Sequence, residues 1–100
     1  MPGDSPSIQN GVTVIDHPLI RVKLTQMRDA STSSQDFRSR LAEVATLMVY
    51  EVTRTLETEA RPVRTPLAAC EGAVLKKPLV VAPILRAGLG MVEGILWLLP

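Results

Sequence analysis

The order of apolar and polar positions divides the chain into stretches of different period. Val12 to Ile15 alternates briefly, which predicts a short strand. Asp16-His17-Pro18 then reads as a helix start, because proline's missing N–H has no intrahelical partner in a first turn. Ile20, Leu24 and Met27 keep helical spacing up to Arg28. No carboxylate–serine or metal pattern surrounds His17, so it is expected to cap or pack the helix start rather than to catalyse. Ala30 to Ser34 forms a small polar loop, and Ser33 with Asp36 resembles a capping box. A long helix is expected over about Ser34 to Leu56, with Phe37, Leu41, Val44, Met48 and Val52 on one face. Leu47, Val49 and Tyr50 lie off that face. A helix this apolar around its middle is usually covered on more than one side, and a second subunit is one way to do so.

From Glu57 to Lys77 the pattern is broken by Pro62, Pro66 and Gly72, and Val63 to Leu67 and Ala73 to Leu75 are the expected strands. Leu79-Val80-Val81-Ala82 then runs into Pro83-Ile84-Leu85. A continuous apolar run between turn residues fits a strand buried on both faces, with Pro83 near its C-terminal end. Arg86-Ala87-Gly88 turns the chain. Met91, Val92, Ile95, Leu96 and Leu99 continue as an apolar helix ending at Pro100. A single membrane span over Leu79 to Pro100 is excluded by Arg86 and Glu93, since a mid-span charge costs roughly 2.5–3.5 kcal/mol. A strand buried on both faces needs neighbours on each side. Little sequence remains to supply them, so the pattern predicts an incomplete α/β domain over residues 12–100. Its rival is an intertwined oligomer that completes the sheet between chains.

Composition narrows the function classes. Hydrophobic residues make up 46% but aromatics only 3%, so aliphatic side chains must fill the core. The net charge is +1 and Lys76-Lys77 is the only adjacent basic pair, which argues against a nucleic-acid surface. Cys70 is the only cysteine, so neither an intrachain disulfide nor a cysteine metal cluster can form. A reducing cytoplasm fits. Met1 to Gly11 lacks the basic start and apolar stretch of a signal peptide and reads as a disordered lead-in.

Candidate chemistry concentrates at one turn. A strand, a glycine-bearing turn and a helix N-terminus make an anion site, because the first helical amides lack intrahelical partners and the dipole is positive there. Gly88 and Gly90 remove Cβ atoms from the approach, and Arg86 adds a planar, permanently charged fork suited to phosphate. The dinucleotide fingerprint fails, since Glu93 stands where its third glycine belongs and Gly94 falls one place late. No Gly-Lys-Ser/Thr ending supports a mononucleotide loop.

As a whole string, Pro83-Ile84-Leu85-Arg86-Ala87-Gly88-Leu89-Gly90-Met91 resembles the first substrate loop of uracil phosphoribosyltransferases. His17-Pro18-Leu19, Lys23-Leu24 and Met27-Arg28-Asp29 are similar to that family's first helix, and Phe37-Arg38 and Tyr50-Glu51-Val52-Thr53 to its second. The resemblance covers roughly residues 12–58 and 79–100. It departs at Val22, where many members carry histidine, and residues 59–77 match poorly. It implies a type I phosphoribosyltransferase-like fold, here incomplete: N-terminal helices, a buried strand, a substrate-binding turn and a crossover helix. It implies the reaction of uracil with phosphoribosyl pyrophosphate, giving UMP and pyrophosphate in pyrimidine salvage. Arg86 would be the catalytic contact to the diphosphate, lined by the backbone of Ala87 and Gly88. Magnesium would be held largely by substrate oxygens, with no protein ligand assigned.

The family's later acidic Thr- and Gly-rich loop and its uracil pocket are not found in these residues, so the chain alone is expected to be inactive. GTP, an effector of some members, enters as a candidate partner, and a homo-oligomer is expected. Two rivals stand beside this reading. One is a non-catalytic interaction protein packing its apolar helix on a full-length subunit. The other is an unrelated phosphate-binding α/β module.

Overall fold

The computed structural model describes residues 7–86 and 88–100. The chain starts with a small hairpin in which β1 (Ser7–Gln9) pairs antiparallel with β2 (Val12–Val14), Ile8 opposite Thr13. Asn10 and Gly11 connect them with φ of 50° and 77°. Positive φ at both central residues is what a tight two-residue hairpin turn requires, and Asn-Gly tolerates it best. The short strand expected at Val12 is therefore present. The disordered lead-in expected through Gly11 is corrected over residues 7–11, because that turn lets them pair. Met1 to Pro6 lie outside the described residues.

Helix α1 (Pro18–Arg28) begins as its sequence indicates. His17 is the N-cap, its Nδ1 accepting from the Leu19 N–H at 3.1 Å, and Pro18 opens the first turn. Ser33 Oγ accepts from the Asp36 N–H at 3.1 Å and starts α2 (Ser34–Val52). This helix ends before Leu56. Its tail tightens into a 3-10 turn over Thr53–Thr55, and the Thr53 hydroxyl donates to the Val49 carbonyl at 2.7 Å. That bond takes up a carbonyl which a helix end leaves open.

Three helices build the core. α2 is packed by α1 and by α3 (Leu89–Leu98), and Ile20, Val44 and Ala45 are the buried apolar side chains among the described residues. Lys23 Nζ and Arg40 Nη1 both donate to Glu43 Oε1, at 2.9 and 2.7 Å, which ties α1 to α2. Of the predicted α2 stripe, Val44 is buried and Leu41 half-buried, while Phe37, Met48 and Val52 remain exposed. α2 is thus covered on parts of two sides by α1 and α3.

The two remaining regions lack such cover. β3 (Thr58–Arg64) and β4 (Ala69–Leu75) form an antiparallel hairpin longer than the strands expected there, with Pro62 opposite Glu71. Every residue of β3 is exposed. Residues 79–84 were expected to form a buried strand. They carry no regular secondary structure, and Val80 and Ile84 are 88% and 83% exposed. The physical reason is pairing: a strand needs a ladder, and the sheets of the described residues are the two hairpins only. A turn and the helix α3 do follow, so the arrangement is mixed helix and strand with small open sheets, an incomplete α/β fold.

Candidate functional site

The expected anion site lies at residues 85–88, between the unpaired segment and α3. Leu85 and Arg86 turn the chain, joined by a cis peptide bond. The Gly88 N–H donates to the Ile84 carbonyl at 2.8 Å, and the Leu89 N–H to the Arg86 carbonyl at 3.0 Å. Gly88 is the N-cap of α3, with φ −70° and no side-chain cap. Its amide is therefore satisfied inside the turn and does not stand open to an anion. What the glycine contributes is room. A Cβ placed there would lie 2.8 Å from the Ile84 carbonyl oxygen, 2.9 Å from the Ile84 nitrogen and 3.3 Å from Pro83 Cβ. A tight turn of this kind keeps residues 83–84 against the start of α3.

The other two glycines of this region fix α3 rather than the anion. A Cβ at Gly90 would press on Leu41 Cδ2 at 2.7 Å, the far end of a flexible side chain. At Gly94 a Cβ would run into the backbone of Ala42, including its carbonyl. The Thr46 hydroxyl contacts both the Gly94 carbonyl, at 2.6 Å, and the Ala42 carbonyl, at 3.0 Å. Gly94 is buried, so α2 and α3 cross with backbone against backbone. That crossing anchors the helix whose first turn carries the candidate site.

Arg86 is exposed, and among the described residues no carboxylate forms an ion pair with it. Its fork is available to a phosphate group, for which planar paired donors are well suited. Ala87, the third expected contact, lies outside the described residues. The structure thus puts Arg86 and Gly88 in one turn, joined through the carbonyl of Ile84 and the first amides of α3. It does not bring His17 or Cys70 to them: His17 caps α1, and Cys70 is exposed on β4.

An apolar groove of about 680 Å³ adjoins the turn, walled by Val52 of α2, by Val80, Val81 and Ile84, and by Met91 and Val92 of α3. Sequence reading did not anticipate it, although Leu79 to Leu85 was its signal: a run meant for burial shows its apolar side chains when nothing covers it. A separate cleft of about 450 Å³ between α2 and α3 includes Arg38, Glu43, Glu93 and Trp97. No cluster of three or more His, Cys, Asp or Glu that could hold a metal occurs among the described residues. Among the described residues no helix is long and apolar enough to cross a membrane.

Among the described residues Glu43, away from the turn, is one of three groups with a shifted pKa, beside Asp29 and Arg54. Its hydrogen bond from Lys23 holds the carboxyl below the ordinary glutamate range; partial burial opposes this, and the charges of Lys23 and Arg40 add to it.

The family description "Uracil phosphoribosyltransferase" matches residues 14–100, the 59–77 stretch included. A uracil phosphoribosyltransferase of Caulobacter sp. (strain K31) is 53% identical over 91 residues, covering 90% of this chain and 44% of its own length. One from Finegoldia magna is 57% identical over 90 residues, covering 89% of this chain and 43% of its own. Among solved structures, the AQ2163 protein from Aquifex aeolicus superposes with a TM-score of 0.79 at 36% identity, over 85% of this chain and 41% of that one. The chain therefore spans less than half the length of these relatives.

Proposed function

The chain belongs to the uracil phosphoribosyltransferase family, and from that membership we propose that its 85–88 turn is the diphosphate side of a site joining uracil to phosphoribosyl pyrophosphate. The observation that carries this reading is Arg86: an exposed guanidinium, with no described carboxylate neutralising it, held at the entry to α3 by a glycine turn.

In the proposed reaction the bond from the ribose carbon to pyrophosphate breaks while a uracil ring nitrogen bonds to that carbon and gives up its proton. UMP and pyrophosphate result. Positive charge builds on the ribose and negative charge on the departing group. A guanidinium already facing that group stabilises the charge as it develops, without reorganising at the moment of reaction. The positive end of the α3 dipole acts in the same direction. The Gly88 amide has a different part. Its bond to Ile84 shapes the turn, so Gly88 positions Arg86 instead of touching the diphosphate through its N–H. Magnesium carried on the substrate's own oxygens would supply further positive charge to the departing group.

These 100 residues are proposed to supply the diphosphate subsite only, and UMP formation by them alone is expected to be absent. The test is binding. Labelled phosphoribosyl pyrophosphate is titrated into the chain and into Arg86→Ala, with inorganic pyrophosphate as competitor. In a complete active site, loss of a comparable donor lowers turnover about 10²–10³-fold, or roughly 2.7–4 kcal/mol. In this half-site the affinity is expected to fall at least about tenfold, since a charge-assisted hydrogen bond contributes about 1.5–3 kcal/mol. Equal affinity in the two proteins would remove Arg86 from the site.

A further inference from the structure

The turn that carries Arg86 is placed by α3, and α3 rests on α2 through a face with little to key it. Gly90 and Gly94 stand four residues apart, on one side of the helix, and both face α2: a Cβ at Gly90 would press on Leu41 and one at Gly94 on the Ala42 backbone. Interdigitating side chains fix how one helix sits on another, and α3 offers none at these two positions. The polar tie is the Thr46 hydroxyl. It lies 2.6 Å from the Gly94 carbonyl oxygen on α3 and 3.0 Å from the Ala42 carbonyl oxygen of its own helix. A hydroxyl has one proton to give, and the shorter contact is the one across the helices. Among the described residues it is the only hydrogen bond between α2 and α3.

A shift at Gly94 is transmitted to Arg86. From Gly94 back to Leu89 the helix spans about 7–8 Å, at roughly 1.5 Å per residue. The Leu89 N–H donates to the Arg86 carbonyl at 3.0 Å, and the Met91 N–H to the Gly88 carbonyl at 3.2 Å. The turn is thus bonded to the first residues of α3 and moves with them. We propose that Thr46 is a positioning residue for the anion site: its hydroxyl, bonded to the Gly94 carbonyl, fixes the slide and roll of α3 on α2 and so sets where the Arg86 guanidinium meets a diphosphate. Thr46 is tied to α3 more than one helical turn from the site, so it acts through Arg86 and not on the ligand. A misplacement on the order of 1 Å caused far from the chemistry can cost about a hundredfold in rate. The effect on ligand rests on the diphosphate reading of Arg86 given above, whereas the link from Thr46 to the turn does not.

Thr46→Val keeps the shape of the side chain and removes the hydroxyl, and Thr46→Ser keeps the hydroxyl. Thr46→Ala, with a better helix former, takes the place of the valine variant should that one not fold. Each is made in the parent chain and in Arg86→Ala, and circular dichroism checks the fold. Amide NMR reads the turn without ligand, and labelled phosphoribosyl pyrophosphate is then titrated. In Thr46→Val the Gly88 and Leu89 amide resonances are expected to move, while those of the β3–β4 hairpin, which packs on neither helix, stay in place. Affinity should fall about threefold to tenfold in the parent and no further in Arg86→Ala, the behaviour of two residues that act through one contact. Thr46→Ser should match the parent in both measurements. Three results would each overturn the proposal. One is Gly88 and Leu89 resonances that stay put when the hydroxyl is removed. Another is an equal loss of affinity with and without Arg86, which would mean that Thr46 supports the fold at large. The third is a Thr46→Ser chain as weak as Thr46→Val, which would take the hydroxyl out of account. Equal binding by the parent and Arg86→Ala would sink the diphosphate reading instead, and the Gly88 and Leu89 resonances would still decide whether Thr46 places the turn.

Discussion

At Gly94 two helices approach until backbone meets backbone, and the Thr46 hydroxyl stands between the Ala42 and Gly94 carbonyls. Only ten residues earlier, Ile84 is exposed and its segment has no ladder partner among the described residues. Both regions are rich in apolar side chains, so composition does not separate them. What separates them is whether the required neighbour lies within reach. α3 needs one helix to pack on, and α2 supplies it. The 79–84 run needs strands on its edges, and the described sheets are two local hairpins. Helical packing can be completed by local chain, whereas a central strand depends on distant chain.

Gly94→Leu should have the largest effect of the substitutions that probe this contrast. A side chain there meets the Ala42 backbone, which cannot step aside as a side chain can. Overpacking typically costs about 1–3 kcal/mol, and a backbone collision belongs at or above the top of that range. Urea unfolding followed by circular dichroism should show a clearly lowered midpoint. If the midpoint held, the α2–α3 crossing would not be the structural anchor argued above.

Gly88→Ala should be smaller globally and severe locally. Its Cβ would sit 2.8 and 2.9 Å from the backbone oxygen and nitrogen of Ile84, so the Gly88–Ile84 hydrogen bond must lengthen or break. The φ of −70° is ordinary for alanine, so the strain is one of space and not of backbone conformation. The expected cost of about 1–3 kcal/mol falls on a turn outside the helical core. Amide hydrogen exchange should accelerate at Gly88 and Leu89 while the α2 amides keep their protection. Loss of protection throughout α2 would show that the turn and the helices unfold as one unit, against the contrast drawn here.

How much of this was legible depended on the range of the interaction responsible. His17-Pro18 and Ser33-Asp36 announced their helices because caps act within three residues, and both caps form. Asn10-Gly11 carries an equally local hairpin signal, but the polar stretch around it, with Pro2, Gly3 and Pro6, has the composition of disorder. The β3–β4 hairpin was placed only partly. Its Pro62 and Gly72 look like breakers, and neither strand shows a buried face to set a period. Residues 79–84 have the apolar run of a strand, but forming one depends on partners that composition does not reveal. For the site, Arg86 and the glycine turn were evident from the string itself. That the Gly88 amide is spent on Ile84 was not, because hydrogen-bond direction inside a turn is a property of its geometry.

The smallest expected effect concerns the α1–α2 tie, and it tests whether the helical region depends on charge as well as packing. Glu43 accepts from Lys23 and Arg40, and chiefly through the Lys23 bond its carboxyl is held below the ordinary value of 4.5. A carboxylate with a depressed folded pKa stabilises the fold fully above the unfolded pKa. That contribution fades as pH falls below about 4.5 and through the lower folded value. The Glu43 side chain is 42% exposed, so solvent screening limits the contribution to the range of exposed pairs, about 0.2–1 kcal/mol. Glu43→Gln should therefore lower the urea midpoint slightly at pH 7 and leave it nearly equal to the parent at pH 3, with the two curves converging between. Both proteins will also respond to their other carboxylates, so the quantity to follow is the difference between them. A difference that persists unchanged at pH 3 would mean that the glutamate acts through packing of its stem, and that the α1–α2 tie, like the α2–α3 crossing, is steric.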